Sequence, residues 1–257
     1  MKIAIAGAAG RMGQMLIQQI GRTEGCSLAA ALESPGSKAL GSETAGQKIV
    51  ADATAAIGAA DCVIDFTVPV ATVAHARIAA DKGVSMVIGT TGLNPEQTAE
   101  IQACAKKVPI LWAANMSMGI NILQALVEKT AALLDPSYDI EVLEMHHRHK
   151  IDAPSGTALA LGRSAAAGRK VKLEGVWRKS RDGHTGARPA GEIGFATLRG
   201  GEEVGVHTVM FAAAGERLEL SHRAFSRETY AAGAVRAALW LQGKKPGLYD
   251  MKDVLGL

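Results

Sequence analysis

Three glycines set between an apolar strand and an amphipathic helix constrain this 257-residue chain more than any other feature. The strand is K-I-A-I-A, the turn is G-A-A-G-R-M-G, and Q-M-L-I-Q-Q-I then carries apolar residues at helical spacing. Gly7, Gly10 and Gly13 let such a turn close, let the backbone approach a pyrophosphate, and let the helix pack on the strand. The spacing is G-x-x-G-x-x-G, with Ala9 where the commoner dinucleotide fingerprint has its second glycine; alanine is still small. The next strand, C-S-L-A-A-A-L-E, delivers Glu33 about twenty residues past Gly13, where a carboxylate accepts from adenosine ribose hydroxyls. An exposed strand-end glutamate is the plainer alternative.

Strand and helix signals then alternate. D-C-V-I-D-F-T-V-P reads as a buried strand ending in a turn, with a helix over 70–82, a strand V-S-M-V-I-G and a helix over 96–107. Pro109 opens a strand that ends at Asn115. This pattern predicts a doubly wound parallel sheet of the Rossmann type, whose ligands bind beyond the carboxyl ends of its strands. Gly89, Thr90 and Thr91, and Ala113, Ala114, Asn115 and Met116, lie at two such ends and are the loops available to line a nicotinamide. With 48% hydrophobic and only 4% aromatic residues, the core must be aliphatic, as suits a helix-covered parallel sheet.

A helix over 118–134 leads away from this region into the strand I-E-V-L-E-M and then the block H-H-R-H-K, residues 146–150. A helix follows from about Ser155 to Ala167, with Pro154 in its first turn and Asp152 or Ser155 as its cap. A helix N-terminus favours an anion. Gly156 lets a ligand reach the backbone, Thr157 adds a hydroxyl, Arg148 and Lys150 add fixed charge, and the histidines titrate near neutrality. The combination suits a small molecule with more than one carboxylate. A solvated basic face, a polyanion-binding patch, and a metal held by His147 and His149 from one strand face remain open alternatives. No Cys, Asp or Glu stands at an obvious companion spacing, so no metal is predicted.

Further on, 171–177 reads as a strand, 178–191 as a loop, and 193–198, 204–213 and 216–222 as strands of an antiparallel meander. His184, His207 and His222 stand apart and read as structural or surface residues. The alanine-rich helix after Ser226 is expected to return to the nucleotide sheet. The expected architecture is α/β: a discontinuous dinucleotide-binding domain, 1–117 and 226–257, plus a second α+β domain, 118–225, with a mixed or antiparallel sheet. A net charge of +3 argues against general binding to nucleic acid or membrane. Three well-separated cysteines, the absence of a signal-like segment and the absence of a long apolar run predict a cytoplasmic protein.

With the glycine turn, Glu33, G-T-T-G, A-A-N-M-S-M-G and E-M-H-H-R-H-K-I-D-A-P-S-G-T in view, the chain resembles the 4-hydroxy-tetrahydrodipicolinate (dihydrodipicolinate) reductase family of lysine and diaminopimelate synthesis. The resemblance runs from the first strand to the last long helix. It implies reduction of a cyclic dicarboxylate by NADH and/or NADPH, in a homotetramer built through the second domain's sheet. It implies that His146 gives or takes a proton, that Lys150 donates one, and that His147 and the Gly156 and Thr157 amides hold substrate carboxylate. Gly7, Ala8, Ala9, Gly10, Arg11, Met12, Glu33, Gly89 to Thr91 and Ala113 to Met116 would contact coenzyme. Many relatives carry Arg directly after the ribose-binding acid, suited to the 2′-phosphate of NADPH, whereas this chain has Ser34. NADH is therefore expected to serve at least as well as NADPH, with Arg11 or Lys38 the groups able to restore NADPH binding. The rivals are another two-domain NAD-dependent dehydrogenase, which in its thioester-forming versions needs an activated cysteine, and a non-catalytic NAD-responsive regulator.

Overall fold

The computed structural model describes residues 1–257, which divide into two compact units, 1–118 with 228–257 and 119–227. The first unit begins β1 (Lys2–Ala6), α1 (Arg11–Arg22), β2 (Ser27–Leu32), β3 (Glu43–Thr44), β4 (Gln47–Val50), α2 (Ala53–Gly58) and β5 (Cys62–Asp65). It continues α3 (Pro69–Lys82), β6 (Ser85–Ile88), α4 (Pro95–Ala105) and β7 (Pro109–Trp112). Then come α5 (Met118–Leu133), β8 (Asp139–His146), α6 (Gly156–Gly168), β9 (Trp177–Arg178), β10 (Ile193–Arg199), β11 (Gly205–Ala212) and β12 (Arg217–Ala224). The chain closes with α7 (Glu228–Leu241), β13 (Gly247–Tyr249) and α8 (Met251–Leu255), in the first unit again.

The first unit's sheet has the order β13-β7-β6-β5-β1-β2-β4-β3, parallel except for the β3–β4 hairpin at one edge. Period-2 alternation divides its side chains between two cores. Ile3, Ile5, Ile64, Val87 and Leu111 pack with α1 and α7 residues, whereas Ala4, Ala6, Val63, Met86 and Ile88 pack with α2, α3 and α4 residues. Helix boundaries follow local chemistry. Pro69 sits in the first turn of α3 and Gly83 ends it at φ 72°, while Asn94 and Gln97 form a reciprocal capping box on α4.

The second unit's sheet is mixed, in the order β12-β11-β8-β10-β9. Its buried face joins Ile140, Val142, Val209 and Phe211 to α5 and α6. Three expectations need correction here. The strands after residue 193 do not form a meander: β10 lies parallel to β8, as a β8–α6–β10 crossover requires, and β11 lies antiparallel on β8's other side. The short β10–β11 connection therefore straddles the end of β8, where His147 N–H donates to Glu203 O (2.7 Å) and Arg148 N–H to Gly201 O (3.2 Å). Residues 171–177 contain a 3-10 turn, Leu173–Gly175, and only the first residue of the two-residue β9, an edge strand that pairs with just Ile193 and Gly194. Finally, α6 starts at Gly156 with Ser155 as its cap, leaving Pro154 ahead of the cap and Asp152 paired with Lys150 instead.

Helix α7 packs against α1 and against β5, β6 and β7, and Gly233 sets how closely it approaches. A Cβ at Gly233 would stand 1.8 Å from the Met116 carbonyl oxygen, a backbone atom that cannot turn aside. Gly233→Ala should therefore cost about 1–3 kcal/mol of stability, read as a lowered thermal midpoint. Gly21→Ala, in α1 with nothing within 4 Å of its Cβ, should leave the midpoint unchanged or higher.

Candidate functional site

In the first unit, the glycine turn is held by its backbone. Gly7 (φ 77°) and Ala8 donate to Leu32 O at 2.9 and 3.0 Å, and a Cβ at Gly13 would meet Gly7 O at 2.1 Å. Gly10 caps α1 with no side-chain hydrogen bond, so the helix's positive end stays available to an anion. Glu33 lies against the turn, accepting from Ala9 N–H (2.9 Å) and Ser34 N–H (3.1 Å). A cavity of ≈ 620 Å³ opens here, bounded by Gly7, Gly10, Glu33 and Ser34, with Pro35, Ala74 and Ile78 among its apolar walls and His75 beside them. A close backbone approach, an acid at the end of β2 and an apolar slot fit the diphosphate, ribose and adenine of a dinucleotide. Neither Arg11 nor Lys38 lines the cavity.

The other coenzyme candidates differ in what they present. The side chains of Ala8 and Met116 are buried in the core, leaving only backbone to offer a ligand. Ala9, Gly10, Arg11, Thr91 and Ala114 are exposed, while Met12, Gly89, Ala113 and Asn115 are half-buried. Thr90 is buried, and its hydroxyl donates to Asp65 Oδ1 (3.2 Å) while its carbonyl accepts from Trp112 Nε1 (3.1 Å). Asp65, wholly buried at the end of β5, gathers these loops. Its Oδ1 also accepts from Thr67 N (2.9 Å), Thr67 Oγ1 (2.6 Å) and Thr72 Oγ1 (3.1 Å), and its Oδ2 from His75 Nδ1 (2.7 Å). Thr90 thus sets the shape of the G-T-T-G loop from behind.

In the second unit, β8 carries Glu144 and His146 on its buried face, two residues apart. His146 Nδ1 lies 2.5 Å from Glu144 Oε2, and the Arg199 guanidinium grips both Glu144 oxygens at 2.8 and 3.0 Å. Burial alone would raise the Glu144 carboxyl, but the hydrogen bonds from His146 and Arg199 outweigh it and hold the group down at about 2. Beyond His146, Lys150 Nζ donates to Asp152 Oδ1 at 2.7 Å. His147 is half-buried with its Nδ1 enclosed and unpartnered, and burial lowers its pKa. Strand β8 ends at His146, so His147 and His149 share no strand face, although their ring centroids lie 6.1 Å apart. At the start of α6, Ser155 Oγ accepts from Ala158 N–H (3.1 Å), and a Cβ at Gly156 would meet nothing within 4 Å. Packing does not demand that glycine, while open backbone beside cations suits a carboxylate.

Reading by residue type passed over several contributors. His207 is 4% exposed, with its ring 5.1 Å from that of His146 and its Nε2 3.1 Å from Ser155 Oγ. Burial pushes it down to about 4, so it is neutral at physiological pH. Arg199 and Thr197 reach Glu144 from β10, which no local motif announces. The i, i+2 spacing of Glu144 and His146 was the one available signal. Two of the three cysteines do not suit thioester chemistry: Cys62 is buried in β5 with its thiol pushed up to about 12, and burial likewise raises Cys104 in α4. No helix is long and apolar enough to cross a membrane.

Family models described as dihydrodipicolinate reductase, N-terminus, and dihydrodipicolinate reductase, C-terminus, match residues 1–116 and 119–255. A 4-hydroxy-tetrahydrodipicolinate reductase of Cupriavidus pinatubonensis is 53% identical, with all of both chains covered. That of Methylocella silvestris is 52% identical, covering all of this chain and 97% of the relative. Among solved structures, a dipicolinate-bound dihydrodipicolinate reductase from Paenisporosarcina sp. TG-14 superposes with a TM-score of 0.78 at 23% identity, covering 98% of each chain.

Proposed function

This chain belongs to the dihydrodipicolinate reductase family, and from that premise we propose how its residues perform the NAD(P)H-dependent reduction of 4-hydroxy-tetrahydrodipicolinate in lysine and diaminopimelate synthesis. The observation that carries the reading is the stretch from Glu144 to Thr157. It sets a histidine with a buried carboxylate partner, a lysine and an open helix N-terminus within one family-matched segment.

When bound, the reduced coenzyme supplies the hydride. The residues of this chain supply the rest. Glu33 accepts from the adenosine ribose, and the glycine turn from Gly7 to Met12 meets the diphosphate. Gly89 to Thr91 and Ala113 to Met116 border the nicotinamide. His147 and the Gly156 and Thr157 amides bind the substrate's carboxylates, each charge-assisted bond contributing roughly 1.5–3 kcal/mol. The substrate's 4-hydroxyl leaves as water before reduction; Lys150, after leaving Asp152, then donates the proton that accompanies hydride addition, and His146 gives or takes a proton beside it. The solved relative from Paenisporosarcina sp. TG-14 binds dipicolinate, a dicarboxylate, which supports a ligand of this charge.

Ser34 favours NADH. Glu33 repels a 2′-phosphate, and the cavity beside it is lined by no Arg or Lys. The outer face of the five-stranded sheet leaves Leu143, Met145 and Met210 half-buried and Leu198 exposed, which supports a homotetramer assembled through it.

Reduction is followed as loss of NADH absorbance, with freshly generated product of the preceding synthase as substrate. NADH should give a kcat/KM at least equal to that with NADPH, and a strong NADPH preference would overturn the role given to Ser34. Lys150→Ala should lower kcat on the order of 10²-fold or more, as loss of a general acid does, with coenzyme affinity unchanged. A parallel fall in coenzyme affinity would show that the lysine is misplaced. Light scattering should return about four times the 26.7 kDa chain mass, and a monomer would end the tetramer reading.

A further inference from the structure

The reading of His146 as an acid–base group leaves unexplained what determines which of its ring nitrogens carries the proton. We propose that Glu144, locked by Arg199, is the positioning residue that keeps the proton of neutral His146 on Nδ1 and presents Nε2 as the reactive nitrogen. The inference rests on that reading and adds a residue to it.

The geometry is one-sided. Glu144 is 1% exposed and ionised, so its Oε2, 2.5 Å from His146 Nδ1, can only accept, and Nδ1–H must donate. Nε2 then holds the lone pair. It looks toward Gly205 of β11, where a Cβ would stand 3.0 Å from it. A glycine at this point keeps the nitrogen clear. The neighbouring His207 ring stands edge-on at an interplanar angle of 75° and is hydrogen-bonded to Ser155.

The same carboxylate reaches the other proposed groups. Glu144 Oε1 accepts from Ser155 N–H (3.1 Å), the residue that caps α6. Arg199 Nη2, while bonded to Glu144, also donates to the Asp152 carbonyl (2.6 Å), and Asp152 holds Lys150 through its side chain. The cross-strand register places Thr197 opposite Glu144 and Arg199 opposite His146, so β10 delivers both donors at the end of β8. One ion pair therefore fixes the His146 tautomer, the start of the carboxylate cradle and the backbone beside Lys150. A buried carboxylate retained at such a point, bonded to His146 and to the cap of α6 and joined through Arg199 to Asp152, is more than core packing requires.

Nitrogen-15 NMR of the histidine-labelled full chain tests the proposal, with His146 assigned by loss of its signals in His146→Asn. In the wild type above the imidazole's titration, the expected spectrum has Nδ1 protonated and Nε2 bare. A wild-type His146 protonated on Nε2 overturns the proposal without any variant having to fold. Glu144→Gln replaces an obligate acceptor by an amide able to donate, so it should shift the neutral tautomer toward Nε2–H. It should also lower kcat on the order of 10–100-fold, with the KM for coenzyme unchanged. Glu144→Asp, which keeps the charge, should retain the Nδ1–H tautomer and recover part of kcat. A Glu144→Gln protein with wild-type tautomer and kcat also overturns it. The spectra need no substrate, so a wild type that fails to oxidise NADH would count against the proposed reaction while leaving the tautomer result standing.

Discussion

A carboxylate taken out of water is tolerable only when donors surround it, and each unit of this protein closes a strand end around one. Asp65, at the end of β5, is enclosed by three threonine hydroxyls, a backbone N–H and His75. Glu144, near the end of β8, is enclosed by Arg199, His146, Thr197 and the Ser155 N–H. In both, donors near in the chain are joined by others from a later segment, Thr90 for Asp65 and Thr197 with Arg199 for Glu144. Satisfying one buried charge thereby fixes several loops at once, at the carboxyl edge of a sheet where ligands are bound.

The two units share a construction on different sheets. Each uses strand–helix–strand crossovers to bring a helix N-terminus to the end of a central strand: α1 after β1, α6 after β8. Close backbone packing allows this in the first unit, through Gly13 against Gly7 O and Gly233 against Met116 O. In the second unit the straddling β10–β11 connection does the equivalent work, holding the backbone of His147 and Arg148 as the chain leaves β8. The backbone of the basic block is thus fastened at defined points, while the side chains of Arg148 and His149 stay exposed.

Much of the fold was legible because its signals are local. The glycine turn, the Asn94–Gln97 box and the apolar runs of β5 and β6 each report on neighbours within a few residues. The short elements β3, β4, α2, β13 and α8 were not legible, since two to six residues carry too little periodicity to register. The order of β8, β10 and β11 misled for another reason. Strands joined by a short link usually pair, but β10 had already been committed beside β8 by the α6 crossover.

The sequence by itself determined the alternation of strands and helices, the glycine turn with its acid at the end of β2, and the segment in which cations meet a helix start. These depend on residue type and spacing alone. Only the tertiary structure decided that Thr90 turns inward to Asp65, that Met116 offers backbone rather than side chain, and that His207 and Arg199 join His146 around Glu144. Those outcomes arise from satisfying buried charge with donors brought by strand register. Register is a property of the assembled sheet, and no single stretch of chain carries it.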